Sequence, residues 1–261
     1  MVYKFILLII VKALEQIHIK VKKPVLILFL FLSIFTNAQK PFALVELFTS
    51  EGCSSCPPAD VLLSKTGINA GKSGQNIFLL AFHVDYWNKG GWKDPFSKYQ
   101  FTLRQENYSR VLSEKEMYTP QVVINGETSF TGSREDKMND NIKQALAVIP
   151  KISLITSKDS VKNDTLYVHY KISNTDPNYV LRLVLTEDGL ISDVKNGENK
   201  GKVLNHDHVV KLFFSVDTPK KEGQVKISLK GNKLSEKNQV ITFVQHKQSM
   251  KVLAAEKIKI K

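Results

Sequence analysis

Residues 42–60, FALVELFTSEGCSSCPPAD, decide how the first half of this chain folds. The stretch begins with a short, mostly apolar run, which is typical of a strand buried on both faces. It continues through the only two cysteines, Cys53 and Cys56, into ADVLLSKTG, which has helical character and is expected to end at Gly67. We expect a kink or a non-helical turn over residues 56–58, because proline disfavours helical geometry in the residue before it.

Further strand and helix patterns follow in a regular order. NIFLLAFHV is a second strand-like run, residues 96–112 place apolar side chains along one helical face, and QVVI leads into the hairpin signal Asn125-Gly126. A returning strand over residues 128–131 and a last helix complete the series. A strand, a crossover helix and a second strand imply a parallel pair. With a CxxC at the start of the helix, this order predicts a thioredoxin-like α/β domain over residues 39–149.

The composition changes near Pro150, after which β-forming residues dominate. Seven or so short segments, from ISLITSKDSV to KVLAAEKIKI, are separated by turn residues such as Asp188-Gly189, and none has helical periodicity. Short strands with regular turn signals predict an all-β, immunoglobulin-like sandwich over residues 150–261.

The N-terminus has the composition of an export signal. In residues 20–38, KVKKPVLILFLFLSIFTNA, lysines precede a short apolar run that ends in small residues. We therefore expect a leader over residues 1–38 that is cleaved after Ala38, which makes the mature protein periplasmic or secreted. The alternative is an uncleaved anchor, but the apolar run is shorter than the ~20 residues that a membrane span needs. Contact with the membrane is therefore expected only transiently, through the leader.

Charge and cysteine content limit the classes of function. The net charge is +12; five lysines and one glutamate give the leader +4, which leaves +8 for the mature chain. The mature lysines are scattered among acidic residues and form no basic stripe with stacking aromatics, so we expect no nucleic-acid partner. Two cysteines are too few for a disulfide scaffold, although an exported pair can persist as a disulfide.

A CxxC pair can exchange disulfides when one thiol is acidic and exposed and the other resolves the mixed disulfide. A helix start favours the thiolate through its dipole and free N–H groups. We therefore predict Cys53 as the nucleophile and Cys56 as the resolving thiol. Glu46 interrupts an apolar strand and is predicted to take the proton of Cys56. In the alternative interpretation, Glu46 lies on an edge strand and faces water.

The dipeptide Thr119-Pro120 directly precedes the strand QVVI. We expect a cis peptide bond here, beside the cysteines, because cis bonds occur almost entirely before proline. The backbone edge at Thr119 and Pro120 would then bind an extended substrate. An ordinary trans-proline at the start of a strand is the alternative.

Three ordered segments, CSSCPPAD, AFHVDYWNKGGWKDPF and MYTPQVVINGE, resemble the secreted family called domain of unknown function 1223. NKGKVLNHDHVVK and VLAAEKI resemble the same family, so the resemblance extends over most of the mature chain. It implies a thioredoxin-like fold with Cys53 and Cys56 as a redox pair and Thr119-Pro120 as the neighbouring loop. The family has no assigned reaction, and Ser54-Ser55 differs from the Gly-Pro of thioredoxin, so the direction of electron flow stays open.

The leading hypothesis is a thiol–disulfide oxidoreductase without a cofactor or metal. Its partners would be thiols or disulfides of envelope proteins and a redox partner that resets the pair. In a second hypothesis the cysteines and His83 bind a soft metal, and in a third they form a static disulfide in a binding module. Trp87 and Trp92 could form a wall of the site, although packing under a loop is the simpler interpretation. His206 and His208, two apart, are a weak metal signal.

Overall fold

A computed structural model of the chain describes residues 39–258. The predicted leader over residues 1–38, with its cleavage site, lies outside the described residues and stays a prediction. Within the described part, no helix is long and apolar enough to cross a membrane.

The first half alternates strands and helices in the predicted order. Its elements are β1 (Ala43–Thr49), α1 (Pro57–Ser73), β2 (Ile77–His83), a short 3-10 helix (Tyr86–Gly90), α2 (Tyr99–Val111), β3 (Gln121–Ile124), β4 (Thr128–Thr131) and α3 (Glu135–Leu146). As predicted, β1 is parallel to β2, and β3 and β4 form an antiparallel hairpin. The hairpin turn places Asn125 and Gly126 at φ values of 50° and 70°, a left-handed conformation that these two residue types tolerate well.

The second half consists of strands. They are β5 (Leu154–Lys162), β6 (Thr165–Ile172), β7 (Tyr179–Glu187), β8 (Leu190–Asp193), β9 (Val203–His206), β10 (Val209–Asp217), β11 (Glu222–Ser228), β12 (Asn238–His246) and β13 (Val252–Ile258). Seven of these coincide with the predicted β segments. The short strands β8 and β9, which pair with each other, were not predicted.

The two halves share one sheet, so the predicted fold class is wrong. Eight strands are joined in the order β13-β12-β7-β10-β2-β1-β3-β4. The halves meet where Val209 of β10 pairs with Ala81 of β2, and the Ala81 N–H donates to the His208 carbonyl at 2.8 Å. Strands make up 40% and helices 21% of the described chain. The protein is therefore a mostly-β fold on a large mixed sheet, not a thioredoxin-like α/β domain followed by a separate immunoglobulin-like domain.

The burial of strands β7 and β12 shows why the prediction of a separate two-sheet sandwich is wrong. Their side chains are buried along nearly the whole strand, as in central strands that are covered on both faces. In a two-sheet sandwich, inward and outward side chains alternate along each strand. The smaller three-stranded sheet, β11-β6-β5, shows that alternation, and it packs its apolar face against β7, β12 and β13.

Helices cover both faces of the sheet next to the cysteines. Leu62 and Leu63 of α1 and Met138 of α3 pack on one face of β1, β2 and β3. On the opposite face, Phe101 and Tyr108 of α2 pack against aromatic side chains of β1 and β2. The N-terminal end of α1 is thereby held at the carboxyl ends of the parallel pair β1 and β2.

Helix α1 differs from its prediction at both ends. Cys56 is the N-cap residue with helical angles (φ −78°, ψ −39°), and the two prolines are the first two residues of the helix. Proline costs no hydrogen bond in a first turn, because the N–H groups there have no intrahelical partner. The helix also continues past Gly67 and ends at Ser73, with Gly74 as its C-cap residue. A Cβ at Gly67 would lie 2.4 Å from Nε2 of His208, so this glycine permits a close approach rather than ending the helix.

Candidate functional site at the CxxC disulfide

Cys53 and Cys56 form a disulfide across the turn that precedes α1, with their Cα atoms 5.4 Å apart. The Cys56 N–H donates to the Cys53 carbonyl at 3.2 Å, which closes the turn. The Ser55 hydroxyl lies 3.3 Å from Cys53 Sγ and is a polar side-chain group in contact with this sulfur. Pro57 and Pro58 have no N–H, so the helix start offers fewer backbone donors to a thiolate than an ordinary one.

Both cysteines are buried, each with 0% of its surface exposed, whereas Ser54 and Ser55 between them are exposed. The expectation of an exposed Cys53 is therefore wrong for the disulfide form. Because the two serines are at the surface, the disulfide lies directly beneath it.

A loop between β8 and β9, residues 194–202, covers this turn, and we call it the cover segment. Its Asn199 is fully buried and donates from Nδ2 to the carbonyls of Glu51 at 2.8 Å and Cys53 at 2.9 Å. Glu198 Oε2 accepts the Ser54 N–H at 2.9 Å, and hydrogen bonding from the side chain and the backbone of Ser54 lowers the pKa of Glu198. Lys202 Nζ donates to Asn199 Oδ1 at 2.9 Å, which orients the amide. The cover segment thus binds the backbone on both sides of the nucleophile position.

The predicted substrate loop lies next to the CxxC turn. The Thr119-Pro120 peptide bond is cis, as expected. Trp87 Nε1 donates to Thr119 Oγ1 at 2.7 Å, and a Cβ at Gly52 would lie 3.1 Å from Trp87 Cβ. Trp87 therefore lies between the residue before Cys53 and the Thr119 side chain, which places the tryptophan in the wall of the site.

Glu46 lies in a different buried cluster. Its Oε2 accepts Arg104 Nε at 2.5 Å, and its Oε1 accepts Arg104 Nη2 at 2.8 Å and the Tyr108 hydroxyl at 2.5 Å. Gln245 Nε2 donates to the Tyr108 oxygen at 2.9 Å. Burial would lower the pKa of Arg104, but the Glu46 carboxylate raises it. Glu46 is fully buried, so it does not face water, and both its oxygens are engaged by Arg104 and Tyr108.

A second set of buried titratable groups adjoins the CxxC motif, and we call it the His83–His206 cluster. It consists of Glu51, Asp60, His83, Asp94 and His206. His83 Nδ1 lies 2.7 Å from Asp94 Oδ2, and His206 Nε2 lies 3.0 Å from Glu51 Oε1. The two imidazole rings meet edge to face with centroids 4.9 Å apart. The Glu51 N–H donates to Asp94 Oδ2 at 2.9 Å, so both carboxylate–histidine pairs are connected.

The shifts in pKa within this cluster have opposing causes. Burial raises the pKa of Asp60, and the charges of His83 and His206 only partly offset this. Burial would lower the pKa of His83, but the Asp94 carboxylate raises it above its usual value. Asp94 has a lowered pKa because its interactions with His83 outweigh its burial. Asp60 is thus a carboxyl group that retains its proton to a higher pH than an exposed aspartate.

Each histidine of the cluster leaves one ring nitrogen uncommitted. Among the described residues, His83 Nε2 and His206 Nδ1 are buried without a hydrogen-bond partner. His208 pairs elsewhere, since its Nδ1 lies 3.1 Å from Asp188 Oδ1. Within residues 39–258, no three or more His, Cys, Asp or Glu side chains are arranged to hold a metal ion. The metal-binding hypothesis for His83 and the cysteines therefore gains no support from this geometry.

Several residues of the site were not predicted from the sequence. Glu51, Asp60 and Asp94 were not singled out, although Glu51 and Asp60 flank the cysteines at two and four positions in the chain. Their closeness in sequence to the cysteines is a local signal from which Glu51 and Asp60 could have been predicted. Asn199 had no such signal, because it lies 146 positions from Cys53 and contacts it only through the folded chain.

The fold and the site define a mostly-β protein with a covered CxxC disulfide at a helix N-terminus. The chain belongs to the family described as protein of unknown function (DUF1223), which matches residues 44–245. This membership confirms the family resemblance of the sequence and carries no reaction with it.

Comparison with solved structures supports the fold. The crystal structure of protein AGR_C_4864 from Agrobacterium tumefaciens is similar, with a TM-score of 0.62, 24% identity, and coverage of 84% of this chain and 95% of that one. A β-glucuronidase from Ruminococcus gnavus is matched at a TM-score of 0.23, 15% identity, and coverage of 42% of this chain and 15% of that one, which is too weak to support any conclusion. A search of curated proteins finds no match.

Proposed function

We propose that the protein is a thiol–disulfide oxidoreductase that acts through Cys53 and Cys56. The observation that carries the proposal is the disulfide itself, closed across a single turn at the N-terminus of α1 and lying directly beneath two exposed serines. A pair separated by two residues can open and close without rearranging the fold, because both sulfurs belong to one turn. Export, a cleaved leader and partners among envelope proteins are part of the same proposal.

In the oxidising half of the cycle, the Cys53 thiolate attacks a partner disulfide and forms a mixed disulfide, and one partner sulfur leaves as a thiolate. Cys56 then loses its proton and attacks Cys53 Sγ. The Cys53–Cys56 bond forms, the bond to the partner breaks, and the second partner thiol is released. A redox partner with its own thiols reverses these steps and restores the dithiol. In this proposal Thr119 and Pro120, beside Trp87, hold the partner chain that carries the disulfide.

Asp60 is the group that we propose accepts the proton of Cys56. It lies one helical turn beyond Cys56, and residues four apart share a helix face. Glu46 is less suited to this role, because Arg104 and Tyr108 engage both its oxygens. A buried carboxyl with a raised pKa is suited to general acid–base work near neutral pH.

The test is a two-step reaction of the reduced protein with Ellman's reagent, which releases one coloured thiolate when Cys53 attacks and a second when Cys56 resolves. We expect Cys56→Ser to stop after the first release and Cys53→Ser to abolish the rapid first release. Asp60→Asn should leave the first release unchanged and slow the second at neutral pH, with Asp140→Asn, an exposed carboxyl of α3, as the control. A first release that is equally fast in Cys53→Ser would overturn the proposal.

Full burial of both cysteines favours a second candidate, a static disulfide in a non-catalytic binding protein. The reduction potential separates the two, since structural disulfides in exported proteins usually lie below about −300 mV. A potential between about −270 and −120 mV would support exchange, because disulfide-exchange proteins span about this range.

A further inference from the structure

Three hydrogen bonds of the cover segment end on backbone groups around the nucleophile. Asn199 donates to the carbonyls of Glu51 and Cys53, and Glu198 accepts the N–H of Ser54. An extended polypeptide presents the same alternation of N–H donors and carbonyl acceptors along its backbone. The cover segment therefore satisfies, from within the chain, the groups that a bound peptide would use.

The cover segment is closed on itself at its base. The Gly201 N–H donates to the Val194 carbonyl at 2.8 Å, and the Val194 N–H donates to the Lys202 carbonyl at 3.0 Å. These bonds continue the β8–β9 ladder, so the tip can leave the CxxC turn without separating the two strands. Glu198 is exposed, and its bond to Ser54 is accessible to competing groups.

We infer that the cover segment occupies the position of the substrate, and that the partner this site fits is an extended polypeptide carrying a disulfide or thiol. The inference rests on the proposed function. The partner backbone would donate N–H groups to the carbonyls of Glu51 and Cys53 in place of Asn199. A partner carbonyl would accept the Ser54 N–H in place of Glu198. Small disulfides without amide groups cannot make these hydrogen bonds. They can react only when the cover segment opens spontaneously, so we expect them to react more slowly.

The first experiment measures how fast a small phosphine reduces the Cys53–Cys56 disulfide. Asn199→Asp keeps the size of the side chain but puts a carboxylate against two carbonyl oxygens, which removes two hydrogen bonds. We expect reduction to be roughly tenfold to a hundredfold faster, as the loss of two hydrogen bonds implies. Asn196→Asp is the matched control, because this residue is exposed in the same segment, and its rate should equal that of the parent.

The second experiment compares two oxidants of the reduced protein: the disulfide dimer of the unstructured peptide acetyl-GSGCGSG-amide, and hydroxyethyl disulfide, which has no amide groups. Each rate is divided by that of free cysteine with the same oxidant. We expect the normalised rate of the parent to be about tenfold or more higher with the peptide than with hydroxyethyl disulfide. In Asn199→Asp this difference should largely disappear, because the weakened cover segment accelerates the reaction with hydroxyethyl disulfide more than the reaction with the peptide. Equal normalised rates in the parent would overturn the assignment of a polypeptide partner.

Glu198→Ala is the second variant, because Asn199 is buried and its replacement can disturb folding, whereas the side chain of Glu198 is exposed. The loss of one exposed hydrogen bond should accelerate phosphine reduction by about twofold to fivefold. If both variants reduce at the parent rate, the cover inference fails, even when Cys53→Ser shows that exchange depends on Cys53. If they accelerate while the parent exchanges with no disulfide, the cover is real and the proposed function fails.

Discussion

Replacing Glu46 by glutamine separates a structural role of this carboxylate from a catalytic one. Glu46 and Arg104 are joined by two hydrogen bonds, with 0% and 4% of their side chains exposed. Glutamine preserves the size of the side chain but removes its charge, so Arg104 keeps a buried charge without a counterion. Removing one partner of a buried ion pair costs about 3–5 kcal/mol. We expect the free energy of unfolding to fall by about that amount.

Denaturant unfolding of the oxidised protein measures this change. Glu135→Gln is the matched control, because Glu135 pairs with Lys65 at the surface with 53% and 55% of the side chains exposed. An exposed pair of this kind contributes about 0–1 kcal/mol. The rate of the second release from Ellman's reagent should be the same in folded Glu46→Gln and in the parent. A variant as stable as the parent, but slow to resolve at neutral pH, would refute the structural interpretation and restore Glu46 as the proton acceptor.

Two further predictions concern the pH dependence of stability and the glycines of α1. Asp94 raises the pKa of His83 despite the burial of the ring, so the His83–Asp94 pair stabilises the folded protein fully at pH values below about 6.5, the pKa of histidine in the unfolded chain. This stabilisation is lost as the pH rises through the higher pKa of His83 in the folded protein. The difference in Tm between the parent and His83→Gln should therefore be larger at about pH 5.5 than at about pH 9, and a constant difference would contradict this. Gly71→Ala should raise the free energy of unfolding by about 0.5–1 kcal/mol, since nothing lies within 4 Å of the added methyl group. Gly67→Ala should bring no such gain, because its methyl group would lie 2.4 Å from His208 Nε2; equal gains in chemical denaturation would refute this.

Local patterns in the sequence were sufficient to predict most of the secondary structure. The strand QVVI, the turn at Asn125-Gly126 and the cis bond before Pro120 all depend on residue types within a few positions of one another. The end of α1 was predicted wrongly at Gly67, because a glycine inside a helix can also make room for a side chain that is distant in sequence. That side chain belongs to His208, from the other half of the chain.

The joined sheet could not be predicted in the same way. A parallel contact between β2 and β10 brings together Ala81 and Val209, and nothing near either residue indicates the other. The near-continuous apolar runs of β7 and β12 were a usable signal, since strands buried on both faces do not suit an outer sheet of a sandwich. The hydrogen bond from Asn199 to the Cys53 carbonyl was likewise unpredictable, because no local pattern connects this asparagine to the cysteines.

The long separation between Cys53 and Asn199 also has a consequence in time. A ribosome makes the chain from its N-terminus, so both cysteines emerge well before the asparagine that lies 146 positions later. Asn199 therefore covers the CxxC turn only once the chain has folded, and the thiol pair of the unfolded chain lacks this cover. We expect the cover segment to affect the rate at which the disulfide is opened in the folded protein, but not the rate at which it first forms in the unfolded chain.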